Sequence, residues 1–78
     1  MTQRDKRIEQ IKSNPSRVRF TQLQWLLFQE GFIRYRQRGS HITYHHKDGR
    51  IIFVPKPHGH KGYCHPSVVR RVLKELDV

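Results

Sequence analysis

Seventy-eight residues hold one domain, and a chain this short buries only about 60% of the surface its unfolded form exposes, so its core must be small. A single cysteine excludes an internal disulfide framework and a cysteine-based zinc cluster, and no run approaches the roughly 18 apolar residues of a membrane helix. Sixteen Lys and Arg against six Asp and Glu leave a formal charge of +10, which favours capture of polyanions, with nucleic acid the first candidate and an anionic membrane surface the second.

The basic residues lie in loops and in a strand rather than along one amphipathic helix, which argues against the membrane. Met1 to Arg7 leads into no apolar run, so no signal peptide is expected. The lone thiol suits a reducing cytosol, and the expectation is a soluble, cytoplasmic protein.

Residues 1–19 are polar and read as an N-terminal helical extension and linker. Ile8 and Ile11 stand three apart and give a short helix one weak apolar edge. Asn14-Pro15-Ser16 ends it, because a residue before proline is pushed out of the helical region. Thr21 reads as the N-cap of the first core helix, with Phe20 ahead of it stapling back onto Trp25. Leu23, Leu26 and Leu27 follow at helical spacing, and Gly31 supplies the left-handed residue that closes such a helix.

Three short strands come next. Phe32 to Arg38 alternates with a period near two, and Gly39-Ser40 makes a tight turn. His41 to His46 returns, with Ile42 and Tyr44 on one face and His41, Thr43 and His45 on the other. Lys47-Asp48-Gly49-Arg50 carries an Asp-Gly hairpin signal. Ile51 to Val54 is the most apolar strand, stopped by Pro55 and Pro57. After a loop rich in Gly, His and Lys, His65-Pro66-Ser67 opens a last helix whose Val69, Val72, Leu73 and Leu76 form an apolar stripe. The order is αβββα behind a small extra helix. It predicts a two-layer α+β domain, with two helices on one face of a three-stranded antiparallel sheet.

The chemistry concentrates in Arg36-Gln37-Arg38-Gly39-Ser40-His41. Arginines two apart on a strand share a face, so Arg36 and Arg38, joined by Arg34, form a basic row suited to gripping phosphate oxygens in pairs. The turn brings His41 to the rim of that row. A neutral imidazole there is able to take the proton of a ribose 2′-hydroxyl, whose oxygen then attacks the neighbouring phosphorus. Nearby cations stabilise the charge that develops on the phosphoryl oxygens. A histidine opening a strand also serves as a hydrogen-bonded structural residue, and these residues alone leave both roles open.

This string, followed by Tyr44, Asp48-Gly49-Arg50, the strand ending Val54-Pro55 and the helix Val69 through Leu76, resembles the HicA (YcfA-like) toxins. These are small messenger-RNA-cleaving proteins encoded beside a HicB antitoxin. The resemblance spans roughly residues 20–77 and implies a second unit, residues 20–78, with the αβββα fold of a double-stranded-RNA-binding domain. It also implies that the histidine after Gly-Ser, His41, is the single catalytic residue, and that no metal or other cofactor is needed. The resemblance further implies that translation is blocked by RNA cleavage and that a HicB-like partner covers the histidine. The RNA-contacting set expected around it is Arg34, Arg36, Arg38, Ser40, Lys47, Lys56, His58, Lys61, Arg70 and Arg71.

The extension at residues 1–19 departs from that pattern and reads as a partner contact or an idle appendage. The loop Lys56 to Tyr63 is richer in histidine than expected, so His58 stands either as a second proton-transfer group or as part of a solvated phosphate-binding loop. Arg70 and Arg71 read equally as phosphate contacts and as solvent-facing charge. Zinc at His45, His46, His58, His60 or His65 is disfavoured, because adjacent strand residues face opposite ways and Cys64 is the only thiolate available. A non-catalytic double-stranded-RNA-binding module is the alternative to the nuclease. A helix-turn-helix DNA reader is not expected, since three strands separate the core helices.

Overall fold

The chain enters helix α1 (Gln3–Ser13) through Thr2, whose hydroxyl accepts from the Asp5 amide at 3.1 Å. In this computed structural model, which describes residues 2–59 and 62–78, α1 closes at Asn14 ahead of a 3₁₀ turn over Pro15–Arg17. Helix α2 (Phe20–Gln29) follows, then strands β1 (Phe32–Arg38), β2 (His41–His46) and β3 (Ile51–Pro55), and finally helix α3 (Pro66–Leu76). The strands form one antiparallel sheet in the order β1-β2-β3. The expected α+β fold is therefore the observed one: αβββα with an additional N-terminal helix.

Helix α2 starts two residues earlier than the threonine signal suggested. Arg19 is the cap residue, and its amide donates to Gln22 Oε1 at 2.8 Å. Phe20 consequently lies inside the first turn instead of ahead of it. The reason is tertiary. Arg19 bridges Tyr63, and the Cys64 amide donates to the Val18 carbonyl at 2.8 Å, so the chain is held extended up to residue 19. At the far end Gly31 has φ 90°, as the helix exit requires. Strand β3 runs one residue further than expected, to Pro55. Proline is tolerated there because it ends an edge strand.

The core lies between the sheet and the helices. Ile42, Tyr44, Ile52 and Val54 face it from the strands, Leu23, Leu26 and Leu27 from α2, and the Val69–Leu76 stripe from α3. Ile8 and Ile11 of the extension join the same buried cluster, beside Val18. Tyr44 keeps its ring fully buried by donating its hydroxyl to Gln24 Oε1 at 2.7 Å. No helix is long and apolar enough to cross a membrane among the described residues.

Register in β1 is broken once. Arg34 pairs with Tyr44 and Arg36 with Thr43, which leaves Tyr35 as the extra residue of a β-bulge. Every side chain beyond it changes phase.

Candidate functional site

Gly39 and Ser40 alone connect β1 to β2, and Gly39 takes φ 57° to close so short a turn. The turn is braced from two sides. Gln37 Nε2 donates to the Gly39 carbonyl at 2.9 Å, and the Lys56 amide donates to the Ser40 carbonyl. This bracing places His41 at the first position of the central strand, exposed, with Arg38 opposite it on β1 and Pro55 opposite it on β3. Lys56 follows Pro55 directly and is also exposed. His41, Arg38, Ser40 and Lys56 therefore meet at one end of the sheet.

Directly opposed residues of an antiparallel pair share a face. Arg36 (opposite Thr43) and Arg38 (opposite His41) lie on the outer, helix-free face with the histidine. Arg34 lies opposite the buried Tyr44, on the helix side, where its guanidinium donates to Gln37 Oε1. The expected three-arginine row is thus a two-arginine row. The bulge at Tyr35 moves Arg34 to the other face, because an inserted residue inverts the alternation on one side of it.

The remaining expected contacts are scattered. Lys47 sits in the β2–β3 turn, the length of β2 away from His41, about 20 Å at the usual rise of a strand. His58 is exposed in the loop after β3. Lys61 lies outside the described residues, as does His60. Arg70 and Arg71 are both exposed on α3, and the Arg71 guanidinium donates to the Phe53 carbonyl at the β3 edge. Among the described residues, no group of three or more His, Cys, Asp or Glu side chains comes together as a metal site. His46 is committed elsewhere: its Nδ1 accepts from the Asp48 amide at 3.0 Å, and its ring packs edge-on against Phe32.

A second basic locus was not anticipated. Arg17 and Arg19 flank Tyr63, with the Arg19 guanidinium 5.5 Å from the ring centroid, and the two cations hold the Tyr63 phenol below its ordinary range. Gln37, which braces the histidine-bearing turn, was missed as well; only its place two residues before a Gly could have drawn notice. The outer face also carries exposed Ile33, Tyr35, Ile51 and Phe53. Their signal was present in β3, where an unbroken apolar run means that both faces of a strand are apolar.

The fold and this rim together define a small basic α+β protein with an exposed histidine among cations at one end of the sheet. A family model for the HicA toxin of bacterial toxin–antitoxin systems matches residues 20–78, and the chain belongs to that family. It is accordingly the toxin half of a toxin–antitoxin pair, and an antitoxin is its partner. No curated protein and no solved structure matches the chain.

Proposed function

We propose that this toxin is a metal-independent endoribonuclease that cleaves messenger RNA with His41 as its single catalytic histidine. The observation that supports this reading most is the juxtaposition at the sheet rim: an exposed imidazole, with Arg38 opposite it and Lys56 beside its turn. The neutral ring of His41 takes the proton from a ribose 2′-hydroxyl. The 2′-oxygen attacks the adjacent phosphorus, the bond from phosphorus to the 5′-oxygen breaks, and water supplies the proton to the leaving oxygen. Products are a 2′,3′-cyclic phosphate and a 5′-hydroxyl. Arg38 and Lys56 stabilise the negative charge on the phosphoryl oxygens, a task that suits donors fixed before reaction begins. Arg36 extends the phosphate contact along the outer face, and Ser40 contributes through the turn that holds the histidine in place.

In this reading the toxin acts in the cytoplasm, blocks translation there, and is neutralised when a HicB-like antitoxin covers the rim. His41→Ala is expected to lower cleavage of a messenger RNA at least a hundredfold, since a general base contributes about 10²–10⁴ in rate. The melting profile should be unchanged, because the side chain is exposed. EDTA should leave the wild-type rate intact. Equal cleavage by the variant would take His41 out of the mechanism, and no cleavage by either protein would replace the enzyme with a non-catalytic RNA-binding module.

A further inference from the structure

The outer face of the sheet carries exposed Ile33, Tyr35, Ile51 and Phe53, which the proposed chemistry leaves unused. Pairing arranges it in three rows: Ile33–His45–Ile51, then Arg36–Thr43–Phe53, then Arg38–His41–Pro55. Tyr35, the bulged residue, lays its ring on His45, with centroids 3.9 Å apart and planes 12° from parallel. One face of the phenol is thereby occupied and the rest is open, the residue being 61% exposed. Phe53 is 57% exposed one row from His41.

Exposed aromatic rings interleaved with arginines, and no acidic residue anywhere in β1, β2 or β3, are complementary to a polymer that alternates flat apolar rings with negative charges. A single nucleic-acid strand has that chemistry; a duplex hides its base faces inside the stack. Spacing agrees. Tyr35 on β1 and Phe53 on β3 stand two strands and one row apart, about 12 Å at the usual strand spacing and rise, close to the reach of two nucleotides in an extended strand. An acidic protein surface would satisfy the arginines without needing flat rings. A second copy of this chain would bring +10 against +10.

We propose that this face is a stacking platform for unpaired bases, on which Tyr35 and Phe53 each carry a base of single-stranded RNA while Arg36 and Arg38 hold the phosphates between them. The platform leads the strand to His41 at the rim, so it deepens the nuclease reading and takes RNA as the polyanion from it. The substrate class that follows is an unpaired segment of messenger RNA.

The test uses the full chain and an eight-nucleotide 2′-O-methyl RNA carrying 2-aminopurine, which lacks the attacking hydroxyl and is not cleaved. Binding should quench the 2-aminopurine, as stacking does. Tyr35→Ala and Phe53→Ala should each weaken binding about tenfold, within the range for loss of one base–aromatic stack. Tyr35→Phe should bind as wild type does, and the blunt duplex of the same sequence should bind more weakly than the single strand. Circular dichroism should show all three variants folded, since both positions are exposed. Wild-type affinity in both alanine variants, or tighter binding of the duplex, overturns the proposal. So does a result in which both variants keep their RNA affinity and lose only self-association or binding of the antitoxin, which would assign the face to a protein. If wild-type protein fails to cleave natural RNA while the quench and its loss in the variants persist, the platform stands and the nuclease reading falls.

Discussion

Two glycines with positive φ face different consequences when a side chain is added. At Gly39 a new Cβ meets nothing within 4 Å, so alanine there costs only the strain of a left-handed backbone, about 1 kcal/mol. At Gly31 the Cβ falls 2.7 Å from His46 Nε2. That ring cannot swing away freely, because Phe32 packs on it and the Asp48 amide donates to it. Gly31→Ala is therefore expected to cost about 2 kcal/mol or more, clearly above Gly39→Ala, in denaturant unfolding. Equal costs would mean that His46 is not anchored. Cys64 offers a pH-dependent counterpart. Burial pushes its thiol up to about 11, so the native protein keeps it neutral where the unfolded chain, near 8.5, has begun to ionise it. The sign is loss of stability with rising pH: the contribution is complete below the unfolded value and disappears as pH climbs to the folded one. Thermal melts from pH 7 to 10.5 should fall more steeply for wild type than for Cys64→Val, which has no thiol to ionise.

Helix α1 shows how little a segment's own pattern says about its place in the fold. It is polar on most sides, and only Ile8 and Ile11 mark an edge. Those two are buried against the core, the Arg4 guanidinium forks onto the Glu30 carboxylate at 2.8 and 2.9 Å, and Arg7 lies 4.4 Å from the centroid of the Trp25 ring. A helix this short gains its stability from such packing rather than from propensity. Ile11→Ala is expected to destabilise the whole domain by about 2–4 kcal/mol in a single cooperative transition, the cost of a core cavity. A change within experimental error would show α1 to be an appendage, although its side chains lie in the core. Helix α3 is the opposite case. Its stripe of Val69, Val72, Leu73 and Leu76 announced the buried face directly, and all four are buried. His65 caps it by accepting from the Ser67 amide at 3.2 Å.

For the molecule as a whole, charge sets the range and the salt sensitivity of encounter. All 18 strand residues lack a carboxylate, and the Asp48 carboxylate at the far turn is already paired with Arg50 at 2.8 Å, which helps hold it below the usual range. If Arg36, Arg38 and Lys56 are the phosphate contacts, the logarithm of the binding constant for a single strand should fall with the logarithm of salt concentration at a slope of about −2. Titration of the uncleavable octamer between low and moderate salt measures it. A slope near zero would leave the +10 charge without a role in RNA capture.

Element order, the ends of the strands to within a residue, the apolar face of α3 and the position of His41 at the head of β2 were all legible in the chain itself. Each depends on short-range rules: side-chain alternation, helical spacing, and the backbone demands of Gly and Pro. What those rules could not supply is the phase of β1 beyond Tyr35. That edge strand buries only Phe32, so no apolar alternation records which way its arginines point. The pairing with β2 alone decides that Arg36 and Arg38 stand beside the histidine while Arg34 turns to the other side. The same holds for the burial of α1 and for the aromatic grid of the outer face. Both arise from residues far apart in the chain, and neither exists until the sheet and helices have met.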